Sequence, residues 1–132
     1  MGQGRGGVAR LLVLLGLVAS LTAAQDKRER SLLERLDSDR EVERAAALSE
    51  FCADVAHAEL ARRLTGSKSV RLRLAAARFI AATRKGGDAA SCAHWLGAEK
   101  DDRVRTAVCQ ALAAFGKTGV AAFEKRRATL DA

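Results

Sequence analysis

The chain has 132 residues, carries 23 Lys and Arg against 16 Asp and Glu, and is 48% apolar. This length accommodates one domain, and the apolar fraction excludes a disordered polyelectrolyte. The apolar residues are mostly Ala and Leu, and the sequence has one Trp, four Phe, no Tyr and no Pro. Few β-branched and aromatic residues argue against a β-sandwich or barrel. The composition therefore predicts an all-helical protein.

The N-terminal segment has the pattern of a secretory signal peptide. Two arginines lie in the first ten residues, an apolar run covers residues 11–21, and small residues precede the polar Gln25. We predict a signal peptide over 1–24 and a secreted or periplasmic domain over 25–132. The apolar run is shorter than the roughly 20 residues that span a bilayer as a helix. The alternative is a membrane-anchored protein that retains an uncleaved N-terminal segment.

Three segments of the chain share a repeat. Their central arginines, Arg44, Arg73 and Arg105, are 29 and 32 residues apart, and each lies in an Ala-rich apolar stretch that follows a polar loop. A period of this length indicates a supersecondary unit that buries its apolar face by stacking on the next copy.

Helical periodicity and capping residues predict seven helices. Asp26 with Glu29 and Ser38 with Glu41 have capping-box spacing. Asp54, Ser67, Asp88, Asp101 or Asp102, and Thr118 are the other candidate N-caps. The predicted helices cover 27–36, 39–52, 55–65, 68–84, 89–96, 102–115 and 119–130. The first and last would cap the repeats, with Glu124 to Arg127 as the polar outer face of the C-terminal cap.

The third segment resembles the HEAT-type repeats, in particular the short form of about thirty residues also found in phycobilisome lyases. It has an acidic loop, Val104-Arg105, and an Ala-Leu pair before Gly116. The segments around Leu72-Arg73 and Val42 are looser matches. The resemblance implies an α-solenoid of about three antiparallel HEAT-like helix pairs, an armadillo-type superhelix. Such a motif specifies packing rather than chemistry.

The resemblance also implies a ladder of Asp-to-Arg contacts between layers. The candidate pairs in this sequence are Asp37 or Asp39 with Arg44, and Asp101 or Asp102 with Arg105. The loop before Arg73 contains no Asp, so we expect the ladder to be interrupted at the middle repeat.

The sequence offers few groups for catalysis. It contains two His, and Gly116-Lys117-Thr118 lacks the upstream glycine of a phosphate-binding loop. His57-Ala58-Glu59 is not the adjacent His-Glu pair of the metal-binding HEAT-repeat hydroxylases. We predict no enzymatic activity, no cofactor, no metal site and no small-molecule substrate.

The three cysteines are Cys52, Cys92 and Cys109, with no CxxC spacing. Buried thiols are the simplest interpretation. The helices that carry Cys92 and Cys109 are expected to pack antiparallel, so a disulfide between these two is the alternative in an exported protein. Trp95 is interpreted as a packing residue, with an exposed binding contact as the alternative.

Eight basic residues occur between Glu59 and Asp88, where the sequence has no acid. They are Arg62, Arg63, Lys68, Arg71, Arg73, Arg78, Arg84 and Lys85. Helical spacing places Arg71 with Arg78, and Arg73 with Arg84, in two stripes beside the apolar face. Such a surface attracts polyanions, although arginine stems also cover apolar surface on a solvated face.

These observations favour a non-catalytic protein-interaction or scaffold module. The alternative is a protein that binds a polyanion, such as acidic polysaccharide, lipid headgroups or nucleic acid, through the basic middle repeat. The identity of the protein partner, the binding face and the oligomeric state are left open by the sequence.

Overall fold

A computed structural model of the chain describes residues 22–131. The predicted signal peptide lies almost wholly outside this range. Within it every regular element is helical and no strand is present, which confirms the all-α prediction. None of the helices in residues 22–131 has the length and apolar character to cross a membrane. The described residues divide into two units, 22–34 and 35–131.

The order of the helices follows the predicted order. Helix α1 covers residues 22–36. It is followed by α2 (Glu41–Cys52), a short 3-10 helix (Val55–His57), α3 (Ala58–Leu64), α4 (Val70–Thr83), α5 (Ala89–Ala98), α6 (Asp102–Ala114) and α7 (Lys117–Asp131). Helix α1 begins upstream of the predicted start and includes Asp26, so Asp26 is not an N-cap. The reason is that Ala23 and Ala24 have high helix propensity and extend the helix.

The predicted N-caps are correct where an aspartate precedes the helix. Asp54 accepts a hydrogen bond from the N–H of Ala56, Asp101 accepts from Arg103 and Val104, and Asp88 forms a capping box with Ser91. Ser38 and Ser67 are wrong by two residues, because α2 starts after Arg40 and α4 is capped by Ser69. Thr118 is also wrong, since α7 already begins at Lys117.

The helices of the second unit pack in adjacent pairs. Helix α3 contacts α4, and α5 contacts α6. Helix α4 packs extensively on α6 but much less on α2, and α7 covers α5 and part of α6. Apolar residues at three- and four-residue steps, such as Val104, Val108 and Leu112 of α6, form the core with residues of α4 and α5. At the α2 side of the core, the rings of Phe51 and Phe79 lie 4.8 Å apart.

The connection between α6 and α7 is tight. Gly116 has a φ of 61°, the left-handed conformation that favours glycine. Gly119 is buried in the first turn of α7, where an added Cβ would overlap the carbonyl oxygen of Leu112. The two helices approach closely because this position has no side chain.

The outer face of α7 differs from the prediction. Glu124 and its basic neighbours are largely exposed as expected, but Val120, Phe123 and Leu130 are exposed as well, at 56%, 42% and 62%. Helix α7 packs through Gly119 and Ala122 instead. The small residues therefore face the core, and the larger apolar residues lie on a solvent-facing flank.

Candidate binding surface

The three repeat arginines make the same contact with the backbone, which we call the loop clamp. In each copy Nη1 of the arginine donates to the carbonyl of the residue six positions earlier. The pairs are Arg44 with Ser38 (2.6 Å), Arg73 with Ser67 (2.9 Å) and Arg105 with Glu99 (2.9 Å). Each arginine lies in the first turn of its helix, where its own N–H bonds the N-cap carbonyl. The clamp therefore fixes the loop before α2, α4 and α6 in the same way.

Glu99 is a buried hydrogen-bond acceptor in the loop between α5 and α6. Its side chain is 5% exposed and forms an ion pair with Arg73, whose Nε lies 2.9 Å from Oε2. Trp95 Nε1 also donates to Oε2 at 3.0 Å, and the N–H of Asp101 donates to Oε1 at 3.3 Å. The loop before α6 is thus joined to α4 by a paired and hydrogen-bonded charge.

These contacts decide the ionisation of Glu99. Burial raises the pKa of the carboxyl group, but hydrogen bonds from Arg73, Trp95 and Asp101, together with the Arg73 charge, outweigh it and hold the pKa below the ordinary value. Trp95 is half-buried and packs against the core, in agreement with its interpretation as a packing residue.

The predicted acid–arginine ladder has different partners in the structure. Asp37 accepts a hydrogen bond from Ser69 rather than from Arg44, and Asp102 is exposed in the first turn of α6 without a bond to Arg105. Both arginines donate to backbone carbonyls instead. Arg73 has no Asp partner, as expected at the middle repeat, and instead forms a largely buried ion pair with Glu99 of the loop before α6.

A second inter-repeat contact joins the loop before α2 to the start of α4. Arg71 Nη1 lies 2.9 Å from Asp39 Oδ1 and 3.2 Å from the carbonyl of Asp37. The hydrogen bond and charge of Arg71 lower the pKa of Asp39. Because the Asp39 side chain is fully exposed, this pair contributes little to stability.

An open groove lies between α2 and α4, and we call it the α2–α4 groove. Its volume is about 250 Å³. Its lining residues are Leu36, Glu41, Arg44, Ala45, Leu48, Arg71, Leu74, Ala75 and Arg78. The groove exists because α4 packs closely on α6 and only sparsely on α2.

The structure separates the eight basic residues of the middle repeat. Three of them form ion pairs: Arg73 with Glu99, Arg71 with Asp39, and Arg62 with Glu59. Four have exposed side chains that form no hydrogen bond or ion pair with any residue in 22–131: Lys68, Arg78, Arg84 and Lys85. Arg71 and Arg78 line the same groove, as their spacing predicts. Arg73 and Arg84 do not form the second stripe, because Arg73 is folded into the loop clamp. Arg63 is exposed on α3.

The three thiols are free, and the Cys92–Cys109 disulfide is not formed. Cys92 is buried in the core between α5 and α6, whereas Cys109 is exposed on the other side of α6. Burial raises the pKa of Cys92 to about 11. Cys52 is half-buried, and its pKa is raised by burial and partly lowered by the charge of Arg78.

Among residues 22–131 no group of three or more His, Cys, Asp or Glu side chains could hold a metal ion. His57 contacts the C-terminal end of α2, where its Nδ1 lies 2.9 Å from the carbonyl of Phe51 and its ring packs edge-on against the Phe51 ring. His57 therefore has a local structural role at the end of α2.

Comparison of the chain with models of protein families, with curated proteins and with solved structures finds no match.

Proposed function

We propose that this chain is a non-catalytic protein-interaction module built as a small α-solenoid of about three HEAT-like helix pairs. Two kinds of observation support the architecture. The loop clamp recurs at Arg44, Arg73 and Arg105 with the same separation from its acceptor. Helices α2, α4 and α6 contact one another in order, with α3 and α5 packed against this row. Solenoids of this kind bind partners along an extended helical surface.

The observation that carries the functional part of the proposal is the α2–α4 groove. It is an open groove lined by five apolar and four charged residues, and a mixture of apolar and charged surface is typical of a protein-binding patch. The residues that line it include no Ser, Thr, Cys, His or Lys, so the groove offers no side-chain nucleophile beside a general base. A partner would therefore be bound rather than converted.

Export is part of the proposal and rests on the N-terminal sequence pattern. Expression of the full chain in a secreting host, followed by mass measurement of the protein outside the cytoplasm, tests it. We expect a product that starts at Gln25. Recovery of the full-length chain in the membrane fraction would instead support the anchored alternative, and recovery of the full-length chain in the cytoplasm would contradict both.

Selection from a random peptide library on the immobilised folded chain tests the interaction module. We expect enriched peptides that compete with one another and that lose binding when Ala45 is replaced by Leu, which fills the groove. Ala46→Leu is the matched control, since Ala46 is exposed on the same helix but does not line the groove. Failure to enrich any peptide above an unrelated helical protein would contradict the proposal.

A polyanion-binding role is the second candidate, favoured by the unpaired cations Lys68, Arg78, Arg84 and Lys85. Retention of the chain on immobilised heparin across a salt series tests it. If these cations bind a polyanion, their combined replacement by Gln abolishes retention at moderate salt. A variant with Arg62 and Arg71, both already paired, replaced by Gln is expected to stay close to the wild type. A loss in the second variant in proportion to its two removed charges, against four in the first, would indicate net charge alone.

A further inference from the structure

The volume of the α2–α4 groove limits what can occupy it. At about 250 Å³ it is smaller than the roughly 300–1,000 Å³ of pockets that bind drug-sized ligands. An apolar cavity of about 150 Å³ holds a benzene molecule. The groove thus has room for one large side chain of a segment that lies across it, and is too small for a drug-sized ligand.

The walls of the groove specify an apolar side chain. Helix α2 presents positions 41, 44, 45 and 48, and α4 presents 71, 74, 75 and 78, each at helical steps of three and four. Ala45 and Ala75 are the small residues that leave the gap, and Leu48 and Leu74 are half-buried beside it. An inserted aliphatic or aromatic side chain would cover these leucines.

The charged residues of the lining favour an acidic segment. Three arginines and one glutamate line the groove. Arg44 is held by the loop clamp and Arg71 by Asp39, whereas the side chain of Arg78 is exposed and bonds no residue in the described part of the chain. An arginine presents a planar set of donors that matches a carboxylate. Glu41 adds a negative charge to the lining, so a carboxylate is favoured beside Arg78 rather than beside Glu41.

We propose that the α2–α4 groove binds an acidic peptide segment of a partner protein, with one large apolar side chain seated between Ala45 and Ala75 and a carboxylate paired with Arg78. This inference rests on the interaction module proposed above and names the chemistry of its partner. The apolar anchor supplies affinity, and the carboxylate fixes the orientation of the segment.

Fluorescence anisotropy with labelled probe peptides tests the proposal. The first probe is a short Glu-rich peptide with one central Phe. A second has that Phe replaced by Ala, and a third has every Glu replaced by Lys. We expect the first probe to bind and each change to weaken binding by about tenfold or more, which corresponds to about 1.4 kcal/mol. Heparin in excess is expected to displace the peptide only at concentrations that screen all charges.

Two pairs of protein variants assign the contacts. Arg78→Glu is expected to weaken binding of the first probe by about tenfold or more, whereas Lys85→Glu, with the same change in net charge outside the groove, leaves it nearly unchanged. Ala45→Leu is expected to abolish binding without a change in charge, and Ala46→Leu to preserve it. Ala45 and Arg78 line the groove, whereas Ala46 and Lys85 lie outside it. All four residues are exposed, so the fold is expected to tolerate each change.

A charge exchange provides the strongest check. The Arg78→Glu variant is expected to bind the Lys-containing probe better than the wild type does, which a loss of folding could not produce. The proposal is overturned if Arg78→Glu and Lys85→Glu weaken binding equally, or if the probe without Phe binds as well as the first. Heparin competition at stoichiometric amounts would overturn it in favour of polyanion binding.

The peptide-library selection separates this inference from the proposed function. Enriched peptides that are neutral or basic, or that still bind the Arg78→Glu variant, would overturn the acidic-segment proposal and leave the interaction module standing. Failure to enrich any peptide would contradict the module itself.

Discussion

Glu99 shows how one buried carboxylate can organise a loop. It accepts from the side chains of Arg73 and Trp95 and from the backbone of Asp101. Removing one partner of a buried pair leaves the other charge without compensation, which costs more than the net contribution of the pair. The start of α6 therefore depends on a residue that belongs to no helix.

We expect Glu99→Gln to lower the free energy of unfolding by about 2–3 kcal/mol at neutral pH, because Arg73 loses its charge partner in a site where both side chains are largely buried. Urea denaturation measures the change. Trp95→Phe is the control, since it removes one hydrogen bond, about 1 kcal/mol, and keeps the ion pair. An equal loss in the two variants would contradict a dominant role for the charge.

The stability difference between the wild type and Glu99→Gln should depend on pH. The pKa of Glu99 is lower in the folded state than its ordinary value of 4.5. Its stabilising contribution is therefore complete above pH 4.5 and is lost as the pH falls through the folded-state pKa. We expect the stability difference between wild type and Glu99→Gln to narrow when denaturation is repeated below pH 4.5. A constant difference would show that Glu99 does not titrate in this range.

The cysteines should differ in reactivity. With a pKa of about 11, the buried Cys92 has about one thiolate in a thousand at pH 8. We expect iodoacetamide to modify the exposed Cys109 first and Cys92 last, as mass spectrometry of peptides from a time course would show. Mild oxidation is expected to leave Cys92 reduced. Rapid formation of a Cys92–Cys109 bond would contradict the placement of these thiols on different sides of α6.

At the scale of the helices, the contact between α6 and α7 depends on a missing side chain. Gly→Ala in a helix usually stabilises it by about 1 kcal/mol. At Gly119 the added methyl group would overlap the carbonyl of Leu112, and because backbone must move to accept it, the sign is reversed. We expect Gly119→Ala to lower the free energy of unfolding by about 2 kcal/mol.

Gly97 in α5 provides the matched comparison. A Cβ there would meet only the ends of two flexible side chains, Arg126 Nε at 3.6 Å and Leu130 Cδ1 at 3.9 Å. Gly97→Ala is therefore expected to stabilise the protein by about 0.5–1 kcal/mol. Denaturation of both variants under one condition measures the contrast. A stabilising effect at both positions would show that α7 can move away from α6.

Helix ends and site residues differ in how far the sequence predicts them. Asp88 and Asp101 were predictable as N-caps because the capping contact is local. Cys109 could have been placed at the surface, since it falls outside the three- and four-residue pattern of apolar positions that includes Val108 and Ala111 of α6. Glu99 was missed as an acceptor because its ion pair joins residues 26 apart, and such a pair depends on how α4 packs on α6. The α2–α4 groove was missed for the same reason.

At the scale of the second unit, stability should be uneven. Helix α4 is packed closely against α6 and sparsely against α2. Amide hydrogen exchange follows the free energy of local opening, which is low where few contacts hold an element. We expect α4 and α6 to exchange most slowly and α2 to exchange faster by about tenfold or more. Uniform protection across α2, α4 and α6 would mean that the unit opens only as a whole.

The loop clamp has a consequence for how such a sequence can change over time. Its acceptor is a main-chain carbonyl, which every amino acid provides, so the clamp places no demand on the side chain at that position. The acceptor residue is a serine in two copies, Ser38 and Ser67, and a glutamate, Glu99, in the third. Loops can then diverge, acquire new surface chemistry or take on a role such as that of Glu99, while the arginine alone preserves the geometry of the repeat.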